Sequence, residues 1–450
     1  MPRSVPFGTR AFSLRSIPEL HSLIASASAH RDDTGLQPQL PGGCEVAAFQ
    51  AAQSVQPTQI RRHAIQELSL HASTQLLSHI CLVGAILGIV YNILAAILAP
   101  RFNRPSTTDI CPPKPVTILK PLHGSEPGLF TRLTSLCRQR HGGKIQVICG
   151  TQRLSDPANE VVGLLRRLHP ASEIDLVIDD HSRGENPKIA NLVNMEAKAR
   201  HEIIVLSDSD IMVEDGFVGR VVAELENTQA GAITCLYYGI AAGGIWAQVS
   251  ALNINSQFLP NVVVALTFGA AKPCFGSTIA MRAEVLRRIG GLKSYMDELA
   301  DDYAIGRAVR AAGLDVVVTH WAVGHVCFDR SFRSFWEHHM RSSRTIRAID
   351  PVGYIGTIFM HPTMLALIAV LTGAQHPIAL PGIAFASRAI LSFSIERAFN
   401  LRRQPLWLLA LHDAVSFAVF VCSFFSAAVE WRGQNYRILR DGTLEKDRSE

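Results

Sequence analysis

Five short apolar runs constrain this chain most: VTILKPL (116–122), IQVICGT (145–151), EIDLVID (173–179), EIIVLSD (202–208) and GAITCLYY (231–238). None alternates polar with apolar residues, and amphipathic stretches lie between them, such as 158–168 with Val161, Val162, Leu164, Leu165 and Leu168. Strands that are apolar on both sides and separated by helices predict an α/β fold, a mainly parallel sheet covered on both faces. In such sheets ligands collect at the carboxyl ends of the strands. His123, Asp156, Asp179-Asp180 and the pair Asp208 and Asp210 fall at those ends.

Composition changes on either side of this region. Ile80–Leu98 is nineteen residues without a charge, followed by Arg101 and Arg104. At about 1.5 Å per residue it just spans a hydrocarbon core of roughly 30 Å. Tyr354–Thr372 has no acid, lysine or arginine and predicts a second span. The stretch 377–395 is apolar but for Arg388, and 406–428 but for His412 and Asp413. These two either cross the bilayer or form a re-entrant hairpin, because their ionisable residues need a partner. Basic loops at Arg397, Arg402 and Arg403 and at 432–440 face the cytoplasm by the positive-inside rule, which favours the hairpin. Residues 1–65 show no sustained period; spaced arginines among serines suit either a transit peptide or an extension without structure. The expected division is an N-terminal extension over 1–75 (disordered or a mispredicted start), a transmembrane helix over 76–100, a catalytic domain over 112–350, a membrane region over 354–430 and a cytoplasmic tail over 431–450.

With 48% apolar and 18% charged residues the composition leans towards a membrane protein. A net charge of +5 suits an anionic membrane surface or a phosphate-bearing substrate and gives no nucleic-acid footprint. Nine scattered cysteines without a CxxC speak against a disulfide framework or a cysteine zinc site.

The chemistry concentrates in four places. Asp208-x-Asp210 at a strand end can hold a hard divalent cation that keeps its waters and binds diphosphates. Asp301-Asp302, in ELADDYAIGRAVRAAG (298–313), opens a helix, so one acid suits its N-terminus and the other can act as a general base towards an acceptor hydroxyl. The basic aromatic stretch 325–347 either anchors at the bilayer interface through Phe332, Phe335 and Trp336 or stabilises a leaving diphosphate, with Arg341 the candidate. Lys188, in NPKIANL (186–192), is either a surface residue or a nucleotide contact.

Taken together, ILKPLHG, DPAN, NPKIANL, LSDSD, GSTIAMR, ADDYAIG and the basic helix resemble the ceramide glucosyltransferase family of inverting glycosyltransferases, over about residues 80–440. Within it, SFAVFVCSFFSAAVEWRGQNYRIL and RTIRAIDPVGY are most similar to the bacterial hopanoid-biosynthesis enzymes, which transfer N-acetylglucosamine from UDP-GlcNAc to bacteriohopanetetrol. The resemblance implies a GT-A, Rossmann-like nucleotide-sugar domain with N- and C-terminal transmembrane or interfacial helices. It implies that Asp156 and Asp208 hold the nucleotide sugar, with Lys120 and Lys188 beside it. Asp210, with Asp208, would bind Mg²⁺ or Mn²⁺, and Asp302 would be the base. His325 becomes a possible added metal or phosphate contact. His338, Arg341 and Ser342 stand where the family has Gln/Arg-x-x-Arg-Trp. Two departures are visible: Arg153 where the family has an acid, and Ser342 in place of tryptophan.

The expected activity is inverting transfer from a UDP-sugar to a lipid hydroxyl at the cytoplasmic face of a bacterial inner membrane. The alternatives are glucosyl transfer to ceramide or another lipid, a polymerising synthase, and a non-catalytic, membrane-tethered nucleotide-sugar-binding protein.

Overall fold

The computed structural model describes residues 57–103, 113–181, 184–373, 379–426, 428–431, 434–438 and 444–446. The transit-peptide reading, Arg104, Arg432 and Arg440 lie outside them. The chain divides into two units, Met1–Leu70 and His71–Glu450. Of the first, only the residues from Pro57 are described, and they are helical.

Helix α1 runs Pro57–Phe102, so 57–75, expected as an extension without structure, is helix. No glycine interrupts those residues and the only proline is the first, so nothing stops the helix from propagating back from the apolar stretch.

The expected strands form as β1 (Val116–Pro121), β2 (Ile145–Thr151), β3 (Glu173–Ile178), β4 (Ile203–Ser207) and β6 (Ala232–Ala241), with a two-residue β5 (Ile211–Met212) between the last two. Two further strands, β7 (Thr278–Arg282) and β8 (Val316–Cys327), complete an eight-stranded sheet of order β3-β2-β1-β4-β7-β6-β8-β5. Parallel pairing prevails, as expected, and antiparallel strands make the sheet mixed. β3, β2, β1 and β4 pair in parallel, as do β6 and β8. β7 is antiparallel to both β4 and β6, and β5 to β8. The continuous apolar runs mark burial on both faces, and burial alone does not report strand direction.

Successive β1 residues supply opposite cores. Ile118 packs with Leu133 of α2 (Leu129–Cys137), Val162 of α3 (Ala158–Leu168) and Phe217 of α5 (Phe217–Thr228). Leu119 packs with Ile189 of α4 (Pro187–Glu196) and with Ile305 of α9 (Asp301–Ala311; α6 to α8 are described below). This is the period-two alternation of a strand whose two faces are both covered.

Between β6 and β7 the chain leaves the sheet as α6 (Ile245–Asn253), a π-helical stretch Ile254–Phe258 and α7 (Leu259–Thr267); α8 (Ala283–Arg288) follows β7. Ile245–Thr267 is apolar and long enough to cross a membrane, as are Ser69–Phe102 and Leu406–Ser423. The first of these escaped the sequence reading because it lies inside the expected catalytic domain.

After β8 come α10 (Phe332–Ile349), α11 (Pro351–Gly356), α12 (Pro362–Leu371), α13 (Ala379–Ala398) and α14 (Leu406–Ser423). The span expected over Tyr354–Thr372 falls on a helix pair bent by 71°, which makes either one broken span or a re-entrant loop. Pro362 lacks the amide that would continue the helix through His361. The ionisable residues of the last two segments find each other. Arg388 of α13 donates through Nη2 to Asp413 Oδ1 of α14 at 3.0 Å, and through Nη1 to the Ser256 carbonyl at 2.7 Å. Within the expected membrane region and tail, β9 (Ala428–Trp431), β10 (Gln434–Ile438) and β11 (Leu444–Lys446) form an antiparallel sheet.

Candidate active site

The carboxyl end of β4, the starts of α4 and α9 and the face of α10 converge on one cavity of about 860 Å³. Lys188, Asp208, Asp301, Asp302, His325 and Arg341 all line it. Residues separated by up to 153 positions in sequence thus share one site.

The centre is a network of charge. Lys188 follows Pro187 in the first turn of α4, whose start is capped by the Asn186 side chain accepting from the Lys188 and Ile189 amides. Its Nζ lies 2.8 Å from Asp208 Oδ1 and 3.1 Å from Asp301 Oδ2. Burial alone would lower the lysine's pKa, but these carboxylates outweigh it and hold the ammonium charged. Burial raises the Asp208 pKa and Lys188 opposes the rise, while Asp210 and Asp301 add to it.

Asp302 is separately held. Its Oδ2 accepts from the Gly276 amide at 2.8 Å and its Oδ1 from the Tyr303 amide at 2.8 Å. Burial, followed by the neighbouring Asp301 charge, lifts its pKa to about 6. A carboxylate so placed is ionised near neutral pH and can accept a proton. A Cβ on Gly276 would stand 3.2 Å from Asp302 Oδ2 and 3.3 Å from Lys188 Nζ. Gly276→Ala is therefore expected to push Asp302 aside and cut turnover about tenfold or more, with the melting temperature little changed. Turnover equal to the parent's would show that Asp302 tolerates the shift.

Asp210 has a different environment. Its Oδ1 is buried and has no hydrogen-bond partner, and His325 Nδ1 lies 3.6 Å from it. An orphaned carboxylate oxygen beside an imidazole fits a cation, which would take Asp210 and Asp208 as its protein ligands and fill the remaining positions with water and diphosphate oxygens.

Asp210 and several other expected residues fall outside the cavity lining. Lys120 is fully buried beneath the Asp208–Asp210 turn and donates to Ser207 Oγ at 3.1 Å, to the Asp208 carbonyl and to the Ile211 carbonyl at 3.2 Å. Burial pushes its pKa down to about 8. It supports the turn from behind. Asp156 accepts from the Gly124 amide at 3.0 Å and the Ala158 amide at 2.9 Å, so it shapes the loop after β1. Arg153 is exposed on the loop leading to α3.

His338 turns towards Asp329, with Nδ1 3.5 Å from Oδ2. With His339 these form one of two clusters among the described residues whose ligand atoms converge, the other being Asp179, Asp180 and His181. Ser250 and Ser334 donate to the Asp329 carboxylate at 2.6 and 2.7 Å, and the Ser250 hydroxyl lies 3.2 Å from His339 Nε2. The first cluster thereby ties α10 to α6 and to the loop after β8.

The sequence reading missed Tyr237, Gly276 and Ser277 on the cavity wall and the Glu126–Arg132 pair, whose arginine is buried and whose glutamate is half-buried. Only GSTIAMR, already noted as a motif, could have pointed to Gly276 and Ser277. The others carried no local signal.

The family model of glycosyl transferase family 21 matches residues 80–444. Ceramide glucosyltransferase 1 of Caenorhabditis elegans is 24% identical over 210 residues, 46% of this chain and 45% of its own length. A ceramide glucosyltransferase of Pyricularia oryzae is 30% identical over 131 residues, 26% of each chain. The chain thus spans less than half the length of these curated relatives. Among solved structures, the mannosyltransferase PcManGT from Pyrobaculum calidifontis, in complex with GDP-Man and Mn²⁺, aligns with 78% of this chain and 99% of its own, at 17% identity and a TM-score of 0.44. Matched over most of its length, the chain belongs to glycosyl transferase family 21.

Proposed function

We propose that the protein is a membrane-bound, inverting glycosyltransferase that moves a sugar from a UDP-sugar to a lipid hydroxyl. The observation that carries this is the gathering of Lys188, Asp208, Asp301, Asp302 and Arg341 on one cavity. Asp302 accepts the acceptor's hydroxyl proton as that oxygen bonds to the anomeric carbon, and the bond from that carbon to the diphosphate oxygen breaks. Arg341 and Lys188 offset the charge growing on the departing UDP. A Mg²⁺ or Mn²⁺ ion held by Asp208 and Asp210 would neutralise diphosphate charge when bound.

The acceptor's apolar body has an adjoining space. Ser342 and Ile346 line both the main cavity and a second one of about 170 Å³, among Phe258, Phe335, Tyr354, Val419 and Phe420. That second cavity lies between α10, α14 and the α6–α7 stretch, two of them helices apolar enough to cross a membrane. Arg402 and Arg403, in the loop between α13 and α14, support a cytoplasmic position for that loop.

For the donor and acceptor we favour UDP-GlcNAc and a hopanoid polyol such as bacteriohopanetetrol, on the C-terminal sequence resemblance. The names of the curated relatives favour a second reading, glucosyl transfer to ceramide. Membranes containing the protein, incubated with labelled UDP-GlcNAc or UDP-glucose and with each lipid, separate them. Labelled hopanoid is the expected product. Labelled glucosylceramide would replace it with the second reading, and binding of UDP-sugar without any product would reduce the protein to a tethered binder.

A further inference from the structure

The turn that presents Asp208 and Asp210 is held more completely than a loop of its length requires. Every backbone carbonyl from Asp208 to Ile211 has a donor. The Asp208 carbonyl receives the Lys120 ammonium and the Ile211 amide; that of Ser209 receives Arg132 Nε at 2.7 Å. The Asp210 carbonyl receives the Val326 amide at 2.9 Å, and that of Ile211 the Lys120 ammonium at 3.2 Å. The residue between the two acids is gripped twice, because the Ser209 hydroxyl also donates to Glu126 Oε1 at 2.6 Å. Arg132 closes the ring by donating to Glu126 Oε2 at 2.7 Å and to the Pro127 carbonyl at 2.6 Å.

Arg132 is buried on α2, and neither it nor Glu126 lines the cavity. Burying an arginine beside a half-buried glutamate is costly unless they are paired and hydrogen-bonded; here all three Arg132 nitrogens donate and both Glu126 oxygens accept. Set against this, Asp210 Oδ1 at the same turn has no hydrogen-bond partner. A rigid frame with one unsatisfied carboxylate oxygen is how a protein pre-organises a ligand position.

We propose that Glu126, Arg132 and the Ser209 hydroxyl form a positioning clasp that fixes the spacing of Asp208 and Asp210 and so sets their affinity for a divalent cation and the diphosphate it carries. This rests on the reading above that the pair holds such a cation. The clasp touches no substrate. It acts by denying the turn other conformations, so its loss weakens cation binding without removing a ligand.

The test is binding of Mn²⁺, alone and with UDP, to the full-length protein in detergent, read by electron paramagnetic resonance. Ser209→Ala removes one hydroxyl and keeps both acids; Ser209→Thr keeps the hydroxyl; Glu126→Gln weakens the acceptor. Ser209→Ala and Glu126→Gln are expected to weaken Mn²⁺ binding about tenfold, with Ser209→Thr near the parent and the melting temperature of Ser209→Ala little changed. Binding that is lost in Asp210→Asn yet unaltered in Ser209→Ala and Glu126→Gln would overturn the clasp while leaving the cation site standing. No Mn²⁺ bound by the parent protein, with or without UDP, would overturn both.

Discussion

Asp302→Asn is expected to lower transfer by about 10²–10⁴-fold while UDP binding persists. Asparagine keeps the size of the side chain and one oxygen for the Gly276 or Tyr303 amide, but it cannot take a proton. The parent enzyme's rate should rise with pH through about 6, where Asp302 loses its proton, and then level off. Below that value the carboxyl is protonated and cannot serve as a base, so the sign of the dependence is fixed. Asp301→Asn should behave differently, because Asp301 pairs with Lys188 and its loss should weaken donor binding more than the rate. Rates measured at saturating donor, together with UDP titrations, check both variants. Substantial transfer by Asp302→Asn would move the base elsewhere, and loss of rate in Asp301→Asn alone would move it one residue back.

The second large effect lies among the apolar helices. Arg388 and Asp413 are each about 1% exposed. Arg388 Nε and Nη2 reach Asp413 Oδ1 at 3.1 and 3.0 Å, and Thr363 donates to Oδ2 at 3.1 Å. Removing one partner leaves a buried charge without its counter-charge, so Asp413→Leu should cost about 3–5 kcal/mol of stability. Pairing it with Arg388→Met should recover most of that, since the double variant buries no net charge. Thermal unfolding of the detergent-solubilised protein measures both. A single variant that melts with the parent would mean that water or lipid headgroups already solvate this pair.

Much of the α/β domain was legible because burial writes itself locally. β1, β2, β3, β4 and β6 match the five apolar runs, since a strand covered on both faces must be apolar at consecutive positions. β7 and β8 were missed. β7 is antiparallel between β4 and β6, a placement set by the chain's return from α6 and α7. The bend within 351–371 was equally hidden, because hydropathy registers apolar length and ignores the backbone break before Pro362.

The candidate site divides the same way. Asp208-x-Asp210 and Asp301-Asp302 were readable as chemistry, because carboxylates closing a buried strand or opening an apolar helix need a compensating reason. Their company was not. Lys120 follows directly on a buried apolar run, yet nothing local says that its ammonium ends beneath the Asp208 turn, away from the cavity. Asp156 belongs to a motif, but its oxygens go to the Gly124 and Ala158 amides.

By itself the sequence determined which residues must be buried, which stretches are apolar enough for a bilayer and which acids stand at strand and helix ends, because each follows from the solvation of neighbouring residues. Only the tertiary structure decided which acid meets Lys188, which is left with an unpartnered oxygen and which is turned to the backbone. Those outcomes depend on contacts of a few ångströms between distant segments, such as Lys188 and Asp301, 113 residues apart, and no local pattern encodes such distances.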